Sequence, residues 1–239
     1  MTTDRIDRDG VILISGANKG IGLAIAAQLR GEGFRLSLGA RRTEALEEAH
    51  GPEDERLCFH RFDAFEPATA ERWVNNTIEQ WGQIDALVNN AGSIEFVTIM
   101  DDNDEALDRL WEVNAKAPLR MTRLCLPHLE ACGHGRIINI ASLSGKRVRN
   151  ALVGYNMTKY ALMGLTHTTR HVSWDKGVRA TAVAPGFVRT EMSAYSDKIS
   201  PEEMIQPETL AELVSTLIQL PNNAAVAELL VNCRLEDTL

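Results

Sequence analysis

The stretch V-I-L-I-S-G-A-N-K-G-I-G, running from Val11 to Gly22, decides the architecture of the chain. Four apolar residues lead into three closely spaced glycines, and the amphipathic LAIAAQL follows at 23. An apolar run bounded by glycine reads as a buried strand, and the periodicity after it reads as a helix. A glycine-rich turn from strand to helix lets the backbone approach a pyrophosphate closely, and the helix N-terminus offers N–H donors with a favourable dipole. The spacing is GxxxGxG rather than GxGxxG, so by itself the turn fits either nucleotide binding or nothing more than a tight bend.

Outward from this stretch the same rhythm repeats. Short apolar runs (VILIS at 11, RLSLG at 35, LCFH at 57, ALVNN at 86, RIINI at 136, VRATAVA at 178 and AELLVN at 227) alternate with longer amphipathic segments. Pro67 is expected in the first turn of a helix ending near Trp81, and Gly33 at the exit from the first helix. The expected fold is α/β: a Rossmann-type, doubly wound, mostly parallel seven-stranded sheet with helices on both faces, in a single domain over 1–239. No linker, low-complexity tract or internal repeat interrupts it.

Bulk properties narrow the function. At 239 residues and 44% hydrophobic composition the chain can bury one large core. Its net charge of -8 argues against nucleic acid or an anionic membrane as partner, since those surfaces call for a basic patch. The opening MTTDRIDRDG has no apolar leader core, and no apolar run approaches the roughly 18 residues that span a bilayer, so a cytoplasmic location is expected. Cys58, Cys125, Cys132 and Cys233 are scattered without a CxxC pair, which predicts buried, reduced thiols and no metal site. His167 and His171 stand four apart, but no acidic or cysteine partner completes a metal-binding set, and they read as an exposed helix face. Met100, Met121, Met157 and Met163 read as packing.

The end of the second strand speaks to which nucleotide would bind. Folds of this type hold the ribose 2′-hydroxyl of NAD with an acidic residue about 20 positions past the glycines. Here the chain reads Gly39, Ala40, Arg41, Arg42, with no carboxylate. Two guanidiniums, together with Lys19 in the glycine turn, suit the 2′-phosphate of NADP. The competing account is a solvated charge cluster, which the dipole at the start of the next helix disfavours.

With these pieces in order, the chain resembles the short-chain dehydrogenase/reductase family from Val11 to about Val231. The motifs that carry the resemblance are SGANKGIG at 15, Asp63 after the third strand, NNAG at 89, Asn114, Ser142 thirteen residues before Tyr155, the YxxxK of Tyr155 and Lys159, and PGFVRT at 185. Each is weak alone, and the ordered set is specific. The resemblance implies an NADP(H)-dependent oxidoreductase that interconverts a secondary alcohol and a ketone. Its catalytic group would be Asn114, Ser142, Tyr155 and Lys159. Tyr155 would be the general acid/base, because hydride transfer at a carbonyl needs a proton partner on oxygen. An ordinary tyrosine, with a pKa of about 10, is a poor base at neutral pH. Lys159, on the same helix face, and the positive nicotinamide are expected to lower it. Lys159 is also implied to hold the nicotinamide ribose. In isolation, a tyrosine and a lysine four apart on a helix are more often a surface contact than a site.

Ser142 would polarise the carbonyl, with Ser144 and Ser93 as alternatives whose plain role is to satisfy turn backbone. Ala141 precedes it where many family members have another serine. Asn114 is expected within a long helix, and the resemblance implies that it holds a relay water linked to Lys159. For the cofactor, the resemblance adds Asp63 at the adenine, Asn89, Ala91 and Gly92 along the cleft, and Pro185, Gly186, Val188 and Thr190 at the carboxamide, beside Gly16, Asn18, Lys19, Gly20, Ile21 and Gly22 of the turn. Gly186 could equally serve as a turn and Thr190 as a helix cap. Residues 192–206 correspond to a short substrate lid. Lys146, Arg147 and Arg149 either attract an anionic group on the substrate or form a solvated charge run. The chain's close, AELLVNCRLEDTL, lacks the VDGG-type ending of acyl-carrier-protein reductases. A 3-oxoacyl reductase and a non-catalytic NADP-sensing protein are the alternative readings. The helices bearing Asn114 and Tyr155 imply a homodimer or homotetramer.

Overall fold

The computed structural model of the chain describes residues 5–195, 197 and 199–235. Its strands are β1 (Val11–Ser15), β2 (Arg35–Ala40), β3 (Leu57–Arg61), β4 (Ala86–Asn89), β5 (Arg136–Ile140), β6 (Arg179–Pro185) and β7 (Glu228–Val231). All seven expected runs therefore form strands. They assemble in the order β3-β2-β1-β4-β5-β6-β7, and every pairing is parallel, where the sequence suggested only mostly parallel. The reason is the length of the connections: each carries the chain back across a sheet face, so no hairpin can form. The chain winds one way from β1 to β3 and the other way from β4 to β7, which puts the point of reversal between β1 and β4.

Helices α1 (Gly20–Gly31), α2 (Glu44–His50), α3 (Pro67–Trp81), α4 (Asp104–Trp111), α5 (Ala117–Ala131), α6 (Val153–Ser173) and α7 (Pro207–Gln219) cover the sheet. Pro67 opens α3 as expected, and the chain leaves α1 through Glu32 and Gly33. Alternate side chains of β1 divide between two cores, as a period of two requires. Ile12 and Ile14 join Ile25 and Leu29 of α1 and Leu210, Val214 and Ile218 of α7. Val11 and Leu13 join Trp73 of α3 and Met121, Cys125 and Leu129 of α5. Because both faces are covered, β1 and β5 are buried at every position.

The helix expected around Asn114 is not regular. Between α4 and α5 the chain makes a π-helical turn over Glu112–Lys116, in which the Ala117 N–H reaches back to the Glu112 carbonyl. Pro118 accounts for it. A proline inside an α-helix lacks the donor for the carbonyl four residues earlier, here that of Asn114, and its ring collides with that carbonyl. Widening the turn relieves both problems, and such turns recur at functional sites. Among the described residues no helix is long and apolar enough to cross a membrane. Cys58 and Cys125 are buried, whereas Cys132 and Cys233 are partly exposed, against the expectation that all four are buried.

Candidate active site

A cavity of about 1120 Å³ opens along the carboxyl ends of the strands, at the point of reversal between β1 and β4 and beyond it toward β5 and β6. Its floor begins with the glycine turn. Gly16 adopts φ +68, and a Cβ there would lie 3.0 Å from the Ala91 Cα. At Gly22 a Cβ would lie 2.3 Å from the Gly16 carbonyl oxygen, so the first turn of α1 tolerates no side chain there. The turn is clipped to the end of β4: the Ser15 hydroxyl accepts from the N–H groups of Asn90 and Ala91, both at 3.0 Å. The Asn90 amide donates back to the Ser15 and Gly16 carbonyls at 2.9 and 3.0 Å. Sequence reasoning missed Ser15 and Asn90, although both lie inside motifs it identified.

Of the residues expected around a cofactor, Gly16, Asn18, Lys19, Gly20, Ile21, Arg41, Asp63, Ala91, Gly92, Pro185, Gly186, Val188 and Thr190 border this cavity. Three of the expected residues, Asn89, Arg42 and Gly22, do not border it. Asn89 is buried with its side-chain amide donating to Asn139 Oδ1 at 2.8 Å, because the strand's alternation turns residue 89 inward and leaves Asn90 at the rim. Arg42 is exposed and does not border the cavity, whereas Arg41 does. Gly22 is likewise set behind the cavity wall, where its role is close packing. Lys19 reaches across the opening to Glu191, with Nζ 2.6 Å from Oε2 and both side chains largely in solvent.

Deeper in, the catalytic candidates converge. Ser142 follows β5, its hydroxyl accepting from the Ser144 N–H at 3.1 Å and hydrogen-bonding to the Tyr155 phenol. Tyr155 and Lys159 lie one turn apart on α6, with the ammonium 5.7 Å from the ring centroid. Lys159 Nζ donates to the Ile140 carbonyl at 3.0 Å. Asn114 is buried behind Gly92: it accepts from the Ser93 N–H at 2.8 Å and donates to the Ser93 carbonyl at 2.9 Å. A Cβ on Gly92 would sit 3.4 Å from Asn114 Oδ1 and 3.7 Å from Lys159 Nζ, so both polar groups approach the same glycine. Ser144 is held by the Asn150 amide at 3.2 Å, in keeping with a turn role. At the mouth, Phe96 and Tyr195 meet edge to face with centroids 4.8 Å apart, and Arg109 pairs with Glu95 at 2.9 Å. Part of the expected lid, residues 196 and 198, lies outside the described residues. His167 pairs with Glu228 at 2.7 Å.

Electrostatically the polypeptide does the opposite of what the Tyr155/Lys159 spacing suggested. Burial pushes the Tyr155 phenol above its ordinary range, opposed by the Ser142 hydrogen bond and assisted by nearby Tyr195. Burial also brings Lys159 down to about 8, since a desolvated ammonium is disfavoured. Unaided, then, the protein holds Tyr155 protonated, poised to give a proton rather than take one.

Residues 10–200 match the sequence profile of the short chain dehydrogenase family. A relative from Caenorhabditis elegans, dehydrogenase/reductase SDR family member 4, is 35% identical over 77% of this chain and 72% of its own length. The chain belongs to the short-chain dehydrogenase family. It is 53% identical over 98% of its length to the agropine synthesis reductase of Rhizobium rhizogenes, but spans only 55% of that protein. The fold superimposes with a TM-score of 0.85 on the alcohol dehydrogenase of the archaeon Thermococcus sibiricus complexed with 5-hydroxy-NADP, at 29% identity, covering 95% of this chain and 99% of that one.

The Lys159 shift has a measurable consequence. In the unfolded chain this lysine titrates near 10.5 and in the fold near 8. Between those values the unfolded state binds more protons, so stability rises with pH. Below pH 8 the penalty of burying the charge is fully present. Lys159→Met is expected to melt above the wild type at pH 7, with the gap closing as pH rises from about 8 to 10.5, as measured by thermal unfolding across that range.

Proposed function

We propose that this chain is an NADP(H)-dependent oxidoreductase that reduces a ketone to a secondary alcohol, and catalyses the reverse, with Tyr155 as the general acid/base. The observation that carries the reading is the convergence of Ser142, Tyr155 and Lys159 on one wall of the cavity at the strand ends. The glycine floor, where Cβ atoms at positions 16 and 22 would clash, fits the close approach of a pyrophosphate. Arg41 and Lys19, both on the cavity rim with no acidic residue at the end of β2, fit a 2′-phosphate. Asp63 would face the adenine, and Pro185 to Thr190 the carboxamide. Bound there, the cofactor would supply the hydride.

The remaining chemistry belongs to the side chains. The Ser142 hydroxyl would polarise the carbonyl and stabilise charge on its oxygen. Tyr155, held protonated by burial, would then deliver its proton to that oxygen. Lys159 and Asn114, both beside Gly92, would lead the replacement proton inward. The reductase name of the Rhizobium relative and the NADP derivative in the archaeal enzyme favour the same direction and cofactor. Titration with NADPH and, separately, NADH tests the cofactor, with tight NADPH and weak NADH binding expected and the preference lost in Arg41→Ala. Tyr155→Phe should abolish turnover and spare NADPH binding; equal activity in wild type and variant would overturn the mechanism.

Arg147 and Arg149 border the cavity between Ser142 and Tyr155. A substrate with a carboxylate or phosphate fits such a rim. In a carbonyl screen, replacing Arg147 and Arg149 by alanine should raise KM at least several-fold for acidic ketones and leave neutral ones unchanged; an unaltered profile would dismiss the anionic substrate.

The outer face of α6 supports an oligomer. Trp111, Val148, Met157 and Tyr160 line an apolar groove of about 660 Å³, and the buried side-chain Oδ1 of Asn156 beside it has no hydrogen-bond partner among the described residues. A second copy covering this face would explain both features. Tyr160→Glu should shift the sedimentation profile toward monomer, and an unshifted profile would place the interface elsewhere.

A further inference from the structure

In the sequence Cys132 and His134 stand two residues apart beside Glu130, but that carboxylate is paired with Lys176 at 2.6 Å and is not part of the cluster they form. The fold supplies the missing partner. Asp85, immediately before β4, lies beside the turn that connects α5 to β5, and Cys132 Sγ, a His134 ring nitrogen and an Asp85 carboxylate oxygen all come within 4.8 Å of one another. This cluster sits at the amino ends of β1, β4 and β5, the opposite end of the sheet from the cofactor cavity. It is independent of the reading given above for that cavity.

The three donors are held in place by contacts that do not use up their binding atoms. Asp85 Oδ2 accepts from the Val11 N–H at 2.7 Å and from the Gln83 amide at 3.0 Å, which leaves Oδ1 facing His134 Nε2 at 3.4 Å. The turn bearing Cys132 and His134 is pinned from outside. The Arg136 guanidinium donates to the His134 and Gly135 carbonyls at 2.8 and 3.0 Å, and also to the Leu220 carbonyl and the Asn222 side chain. The Asn222 amide donates to the Gly133 carbonyl at 2.8 Å. Cys132 Sγ donates weakly to the Leu129 carbonyl at 3.2 Å and accepts from the His134 backbone N–H. Cys132 and His134 are partly exposed and Asp85 is buried, so an ion would have a route in and room for water on one side.

We propose that Asp85, Cys132 and His134 form a binding site for a thiophilic divalent cation of the zinc class. Cys132 Sγ, His134 Nε2 and Asp85 Oδ1 supply three of four tetrahedral positions and water the fourth. On binding, the Cys132 S–H bond breaks, its proton leaves to solvent and a sulfur–metal bond forms, while neutral His134 contributes a lone pair with its own proton on Nδ1. One thiolate and one carboxylate balance the charge of a divalent ion. The thiolate and imidazole select zinc over magnesium or calcium, which prefer all-oxygen sets. The ion would tie the α5–β5 turn to the amino end of β4 and stabilise the fold in proportion to its occupancy.

Cobalt(II) serves as the spectroscopic probe. Untagged, chelator-treated protein titrated with cobalt(II) should develop a thiolate-to-cobalt charge-transfer band that saturates at one equivalent and is lost when zinc is added. The band should be missing in Cys132→Ser, weakened at least tenfold in affinity in His134→Asn, and retained in Cys233→Ser. Zinc should raise the melting temperature of the wild type and not that of Cys132→Ser, with both proteins melting alike in chelator. Absence of the band in the folded wild type, or its persistence in Cys132→Ser, would overturn the assignment.

Discussion

Parallel pairing between β1 and β4 is the constraint on which everything else in this protein rests. Parallel neighbours must be joined by crossovers, so each strand end that points up is followed by a loop on the same edge of the sheet. The glycine turn after β1, the Asn90 to Gly92 loop after β4, Ser142 after β5 and Pro185 at the end of β6 are gathered there by topology alone. Because the winding reverses between β1 and β4, their loops diverge and leave a crevice instead of packing shut. The Ser15 and Asn90 hydrogen bonds fix how far apart those two loops stand.

The same edge concentrates the chain's energetic liabilities. A nearly buried ammonium at Lys159, a raised phenol at Tyr155 and an asparagine buried in a widened helical turn are each unfavourable in isolation. Each is tolerated because the polar atoms find partners: the Ile140 carbonyl for Lys159, the Ser93 backbone for Asn114, the Ser142 hydroxyl for Tyr155. The two desolvated groups on α6 do not neutralise each other; both are pushed toward their uncharged forms. A charge brought into the cavity would therefore act on a pair already displaced from its solution equilibrium.

Much of this was legible in the sequence because it depends on local pattern. β-Branched runs, glycine spacing and the proline opening α3 act over a few residues, and those features all appear where expected. What escaped depends on neighbours distant in the chain. Whether Asn89 or Asn90 faces the crevice turns on the strand's registration against β5, where Asn139 waits for residue 89. The direction of the Tyr155 shift depends on burial, which spacing does not report. Arg41 and Arg42 look equivalent in sequence and part company only when the chain bends before α2. Asp85, Cys132 and His134 are brought together by the pairing of β4 with β5 and by the turn before it.

The π-helical turn at Glu112–Lys116 also fixes an angle. Each residue advances an α-helix by roughly 100° of rotation, so one residue added without a matching rise turns everything before it relative to everything after. Met121, Cys125 and Leu129 of α5 can then face the sheet while Asn114 faces α6 and the loop after β4. Deleting a single residue here would press the chain toward a regular helix and bring back the clash at Pro118. The two halves of that helix would be out of phase, so that either the core or the buried asparagine lost its direction.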